Sequence, residues 1–532
     1  MKNKIGKLIV LAILFMIVGS EIVAQRIVKV SPGFGTLNSI IENDYNANSL
    51  ETLNNTIYEL ERDGFYVTNG TIENVGYELN VWAEVGAGAR PIIKCGVDQG
   101  GLSVNSFSPR GDLHIKGLNI VNVDVLGNVL TDAIIGRSDS LNIIIDDCHL
   151  DSASVSFIRM DVDWLNIKVI NSIISNAMGN YHNSRFYDTR KNNVDSILVQ
   201  NCTFYNIGGY PSRGTSSGGA INYIKWDHNT LYNVGRKIGG VGQTIDSYFT
   251  NNLIINTAIL GRDSLKQFFS HGQFENDIFL TIRELNNLYA IGKTQKMYFH
   301  HNNFFVDDEY KNYNFPAGIE YPIPYFEPYG WKRFNESNTM DTWFEERIAF
   351  TNPPPVDVSY IHKLWTDTDE NQNGQVGDEI LAIFSNEGRP FDFSYSESNF
   401  CYTAAEDGFP LGDLNWFPDK KADWENGLTS VDDKVTQLPL QIELHQNYPN
   451  PFNPSTIISY QLNKSAGVNL TIHDILGNKI ISLVDGKTQS AGIHKIEWNG
   501  KNSKGQRISS NILFARLEVN GEVFTNKMIM VK

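Results

Sequence analysis

Seven stretches in the middle of the chain share one pattern, and this repetition restricts the fold more than any other feature of the sequence. They are LHIKGLNIVN (113–122), LNIIIDDCHLDS (141–152), LNIKVINSIISN (165–176), SILVQNCTFYN (196–206), NYIKWDHNTLYN (222–233), SYFTNNLIIN (247–256) and MYFHHNNFFV (297–306). Aligned, they give an apolar column of Ile115, Ile145, Val169, Val199, Trp226, Phe249 and Phe299. Further apolar columns lie two residues before and five residues after it, and period-2 alternation of this kind marks short strands with one buried face. Between the two strands of each stretch is a polar corner: Gly117, Asp147, Asn171, Asn201, His228, Asn251 and His301. A second polar column follows at Asn122, Ser152, Asn176, Asn206, Asn233 and Asn256. Asn tolerates the left-handed backbone of a tight corner, and stacked amides can bond from one repeat to the next.

Successive corners are 23 to 30 residues apart, except for a last step of 50, which reads as two turns or as one turn with an inserted loop. Steps of that size, each holding three short strands, predict a parallel β-helix. The Leu-rich consensus of leucine-rich repeats is absent, and a propeller needs a longer period. Stacking turns outward side chains into rows. One predicted row is His114, Ile144, Lys168, Leu198, Lys225, Tyr248 and Tyr298; its neighbour is Lys116, Asp146, Ile170, Gln200, Asp227, Thr250 and His300. Cys148 and Cys202 share a column two coils apart, roughly 9.6 Å at the spacing of strands, which is too far for a disulfide.

The flanking regions differ in character. Residues 1–24 run basic, apolar, then small, as in a secretory signal peptide cut after Ala24. Residues 25–89 are expected to cap the first coil, with an amphipathic helix over 50–64. The coils are expected over 90–310, an aromatic and proline-rich insertion with the closing segment over 311–426, and a linker over 427–446. Residues 447–532 hold six strand-like runs with glycines in or beside the connections, a small β-sandwich. The expected class is therefore all-β: a right-handed parallel β-helix followed by a C-terminal Ig-like sandwich. Lys+Arg 44 against Asp+Glu 60 gives a net charge of −16, which argues against nucleic-acid binding and against polyanions in general unless a local basic patch reverses the sign.

Two resemblances follow from these residues. The coil columns over 90–310 resemble the β-helix of the pectate-lyase-like superfamily. The tail, NYPNPFNPSTIISYQL, IHDILGNKI, GIHKIEWNGKNSKGQ, ILFARL and the terminal KMIMVK, is similar to the type A C-terminal sorting domain of the type IX secretion system, with Phe514 where that family often has Tyr. The second resemblance implies passage through the type IX machinery, removal of the tail, and either release or attachment to surface lipopolysaccharide. TAAEDGFPLGDLNWFPD (403–419) resembles the closing segment of exported bacterial β-helix proteins.

The first resemblance implies a polysaccharide lyase. Such an enzyme needs a base for the proton α to a uronate carboxylate and a cation to neutralise that carboxylate. Lys225, Arg213 and Arg236 are candidate bases. Arg190, Lys191, Lys237 and His228 are candidate substrate contacts, with Arg185 in the same group of loops, and Tyr205 and Tyr232 on neighbouring coils form a candidate sugar-stacking platform. These groups also suit an ordinary solvated face, so a non-catalytic glycan-binding protein or adhesin is the other reading. The blocks of polygalacturonase-type hydrolases are not recognisable together. Asp369, Asn371, Asn373 and Asp378 in DTDENQNGQVGDE resemble part of a calcium loop, or else an acidic turn, which makes Ca²⁺ the one candidate cofactor.

Overall fold

The computed structural model describes residues 25–96, 105–177, 184–214, 219–236, 238–263, 280–282, 285, 293–315, 319–320, 343–355, 391–430, 442–444, 447, 450, 452–462, 466–475, 477–489, 492–509 and 511–531. The chain divides into two compact units, 1–421 and 422–532.

The first unit is a right-handed parallel β-solenoid. Ten strands stack in sheet 1, eleven in sheet 2 and six in sheet 3, and every neighbouring pair in these sheets is parallel. Each full coil passes from sheet 1 round a sharp corner to sheet 2, crosses to sheet 3 and returns. Direct register links Ile115 to Ile145, Val169, Val199, Trp226, Phe249 and Phe299 in turn. All seven are at most 4% exposed, so the apolar column is the inner wall of sheet 1. The seven corner residues all have φ between 50° and 70°, which is why Gly, Asn, Asp and His occupy them. Ser152, Asn176, Asn206, Asn233 and Asn256 of the second polar column also have positive φ.

Inside the corner, the next residue turns into the core. Leu118, Cys148, Ser172 and Cys202 fill this column in the early coils, and Asn229, Asn252 and Asn302 form a buried amide ladder in the later ones. Asn229 Nδ2 donates to Asn252 Oδ1 at 3.0 Å, and Asn252 Nδ2 donates to Asn302 Oδ1 at 2.8 Å. Beside it the rings of Trp226, Phe249, Phe299 and Trp343 stack with centroids 6.4, 6.2 and 5.2 Å apart. The strands Thr244–Thr250 and Lys296–His300 pair directly, so the 50-residue step is one turn with an insertion.

The coils begin earlier than expected. Strands Arg26–Val30, Thr56–Leu60 and Leu79–Ala83 already belong to sheet 1. The region expected to be a helix over 50–64 is helical only over Leu50–Asn54 and then becomes the strand TIYEL. β-Branched and aromatic side chains that pair on both edges outweigh a short helical pattern here. A different helix, Thr36–Ala47, lies over the first coil and inserts Leu37 and Ile41 into the core. Helix Pro418–Ser430 extends into the stretch expected to be linker.

Sheet 2 is covered on its outer side by a late segment. Phe350–Asn352 and Asp392–Tyr395 pair as a two-stranded ribbon. With residues 400–417 they pack on Tyr205, Tyr232, Leu253 and Ile255. Asp413 Oδ2 accepts from Thr203 Oγ1 at 2.7 Å, and Gly412 N donates to the Asn251 carbonyl at 2.8 Å.

The second unit has a three-stranded antiparallel sheet (Glu443–Leu444, Thr456–Leu462, Gly492–Trp498) and a four-stranded one (Lys479–Gln489, Ala466–Asp474, Asn511–Val519, Glu522–Met530). Ile458, Tyr460, Leu470, Trp498, Leu517 and Met528 are among its core residues, as expected for a small β-sandwich.

Candidate functional site: an arginine face on sheet 3

Sheet 3 strands Asp132–Gly136, Ser156–Met160, Arg185–Asp188 and Ser212–Arg213 stack in that order. Their register places Ile135, Arg159, Asp188 and Arg213 in one row. Asp188 is fully buried and forms the anchor. Its Oδ2 lies 2.6 Å from Arg185 Nη1, 3.1 Å from Arg213 Nη1 and 4.0 Å from Arg190 Nε. One coil earlier, Asp161 holds Arg159 at 2.9 Å, Arg137 at 3.3 Å and Arg190 at 3.4 Å. Asp132 accepts from Ser156 Oγ and lies 3.7 Å from Arg159 Nη1. Burial pushes the Asp132 carboxyl up, partly offset by Ser156 and Arg159.

This ion-paired set has five arginines and three aspartates, so it is locally positive within an acidic protein. The side chains of Arg137, Arg159, Arg190 and Arg213 remain 31–41% exposed. They come one per coil but not in one row: Arg159 and Arg213 lie two coils, roughly 9.6 Å, apart with Asp188 between them, and Arg137 and Arg190 lie two residues beyond that row. Fixed, partly exposed guanidiniums suit bidentate recognition of carboxylates or sulfates on a linear polymer.

The candidate bases do not converge. Arg213 is on sheet 3, whereas Lys225 is on sheet 1, in register with Leu198 and Tyr248. The Lys225 ammonium is 3.0 Å from Asp227 Oδ2. Asp227 also accepts from Gln200 at 2.9 Å, Thr250 at 2.7 Å and Asn251 at 3.0 Å. Burial works against its charge, but Lys225, His228 and Thr250 outweigh that and hold the carboxyl below the usual range. Arg236 is 3% exposed, with its guanidinium 5.2 Å from the Tyr210 ring centroid, which Arg185 also approaches at 5.5 Å. A base buried in this way cannot reach a polymer in solvent, which corrects its expected role.

Tyr205 and Tyr232 are likewise corrected as a sugar platform. They are buried beneath Phe391, Phe393 and Phe350. His228 is fully buried under Asp407 and Pro410, which corrects its expected role as a substrate contact. Arg190 and Lys191 are exposed. Lys237 and the loop residues Asp369, Asn371, Asn373 and Asp378 lie outside the described residues. Among the described residues, no group of three or more His, Cys, Asp or Glu is placed to hold a metal ion.

Sequence reasoning missed Arg137, Arg159, Asp132, Asp161 and Asp188. The third strands of the coils lack the Asn-marked corner that betrays the other two, and the available signal was Arg/Asp recurrence in SFIRMDVD and RFYDTR. The face of sheet 1 carries a half-buried ladder of Tyr223, Tyr248 and Tyr298, with ring centroids 5.4 and 4.7 Å apart. Their ring faces are used on one another, so this ladder offers edges rather than a stacking platform. No family model, no curated protein and no solved structure matches this chain.

Proposed function

We propose that the mature chain is an exported β-solenoid that binds an acidic polysaccharide along the arginine face of sheet 3. The parallel solenoid is a scaffold consistent with carbohydrate-active proteins, and the observation that carries the reading is the set of partly exposed arginines fixed by the buried Asp188 and the partly buried Asp161. Export rests on the signal-like start and the sorting-domain resemblance of residues 447–532. That resemblance also implies the type IX machinery as partner and release or lipopolysaccharide attachment as outcome.

β-Elimination is the second reading, favoured by Arg213, which is outward-facing and held by one nitrogen. It would take the proton α to the carboxylate while the bond to the leaving glycosidic oxygen breaks. A guanidinium sheds its proton only above pH ~12. Binding therefore ranks ahead of cleavage.

The test is calorimetric titration with polygalacturonate, alginate and sulfated glycosaminoglycans, together with ultraviolet detection of unsaturated products. Binding weakened in Arg190→Gln and Arg213→Gln supports the reading, and product formation adds cleavage. No binding to any acidic polymer, or binding indifferent to both substitutions, defeats it.

A further inference from the structure

The segment over sheet 2 meets the solenoid at one of its corners through a histidine. His228 is the corner residue between strands Ile221–Asp227 and Thr230–Val234, in a column otherwise made of three Asn with Gly117, Asp147 and His301. Its ring is fully buried. Nδ1 lies 3.2 Å from the Pro410 carbonyl oxygen, and Nε2 lies 3.1 Å from Asp407 Oδ2. Both of these partners are acceptors. Neutral imidazole has one N–H, so only the imidazolium can donate to both at once. Two other attachments of this stretch do not titrate: Glu406 N donates to Asn251 Oδ1 and Gly412 N to the Asn251 carbonyl, each at 2.8 Å, whereas Asp413 at its end, which accepts from Thr203 Oγ1, has a carboxyl raised by burial to about 6.

We propose that His228 is a latch that holds the 404–412 strap on the solenoid in mild acid and releases it as the pH rises. The charged groups around the ring are Asp407 of the strap and Asp227 and Lys225 of its own strand. The corners above and below are the neutral Asn201 and Asn251. Burial pulls the imidazole down, but Asp407 and Asp227 outweigh burial and the Lys225 charge, and the net direction is upward. Holding the proton is thus coupled to strap closure. The coupling is present below the ordinary histidine range, about pH 6.5, and is lost as pH rises through the raised value. Loss of the proton removes one donor and sets a lone pair against either a carbonyl or a carboxylate. Opening at 405–410 would bare the corner beside the Lys225–Asp227 pair.

Amide hydrogen exchange of the full chain at about pH 5.5 and pH 8, corrected for intrinsic rates, tests this. Protection over 404–412 should fall about ten- to hundredfold on going to pH 8, the effect of losing one charged hydrogen bond, while strand Thr244–Thr250 keeps its protection. His228→Asn, which keeps a corner-tolerant residue, should shrink the fall in strap protection to the smaller part that the Asp413 carboxyl contributes. Asp407→Asn, at a partly exposed site that does not threaten folding, should reduce the pH response. Equal protection in the unmodified protein at both pH values overturns the latch, and so does a pH response that persists undiminished in both variants.

Discussion

Replacing Asn252 with Leu separates packing from hydrogen bonding in the solenoid interior. The Asn252 side chain takes part in four hydrogen bonds. Oδ1 accepts from Asn229 N at 2.9 Å and Asn229 Nδ2 at 3.0 Å, and Nδ2 donates to Asn302 Oδ1 at 2.8 Å and the Trp226 carbonyl at 3.0 Å. Leu118 occupies the same column in an earlier coil, so the position suits that side chain in shape. If packing alone mattered, Asn252→Leu would be close to neutral. Four bonds at about 0.5–1.5 kcal/mol each, with the Asn229 N–H left buried and unsatisfied, give a loss of about 4 kcal/mol instead. Urea unfolding gives the global value. Because solenoids open in pieces, hydrogen exchange in strands Leu253–Thr257 and Asn302–Phe305 reports the local one. A loss below about 1 kcal/mol, or a gain, would refute the claim that the amide ladder rather than ring packing secures these coils.

Asp188→Asn should destabilise the solenoid by about 3–5 kcal/mol in denaturant unfolding, because Arg185 is left buried without its carboxylate. Arg213→Gln, which alters a partly exposed partner of the same carboxylate, should lower stability by less than about 1 kcal/mol. Gly412→Ala should dislodge the strap: φ is 86°, and a Cβ there would meet Thr230 Oγ1 at 2.5 Å and Leu253 Cδ1 at 2.8 Å, so exchange over 404–412 should accelerate. Burial raises Asp413 to about 6, so its protonated form adds stability below about pH 4 that is lost as pH rises through about 6. Asp413→Asn should therefore gain stability relative to the unmodified protein between those values and hold a constant difference above about pH 7. Burial lifts the Cys95 thiol to about 11 and those of Cys148 and Cys401 to about 12, so a thiol reagent should label these cysteines only after unfolding.

The solenoid was legible because its constraints repeat. A corner that needs positive φ selects Asn, Asp, Gly or His at each turn, and the strands on either side must point apolar residues inward. Those two demands fix register between residues dozens of positions apart, which is why the column from Ile115 to Phe299 and both outward rows could be aligned from the sequence. The first coils escaped notice for the same reason. The corners beside Thr56–Leu60 and Leu79–Ala83 lack the Asn mark, and a helix intervenes after Gly33–Phe34.

The site was less legible because its geometry depends on what covers each sheet. Alternation shows that Tyr205, Tyr232 and His228 lie away from the inner wall, but it says nothing about a segment from 391–417 returning to bury them. No local pattern joins residues about 180 positions apart, such as His228 and Asp407. The basic loops posed the converse problem. Clustered arginines could be foreseen from RFYDTRK and its neighbours, yet their orientation depends on carboxylates at the right coil height, which Asp161 and Asp188 supply. Buried Asp188 fixes Arg185 and Arg213, while Asp161 fixes Arg137, Arg159 and Arg190. A guanidinium anchored on one edge keeps its remaining N–H groups oriented, and less side-chain entropy is lost when an anion arrives. The same aspartates that lower the net positive charge of the face are what make it a structured surface, which is what the proposed binding of an acidic chain requires.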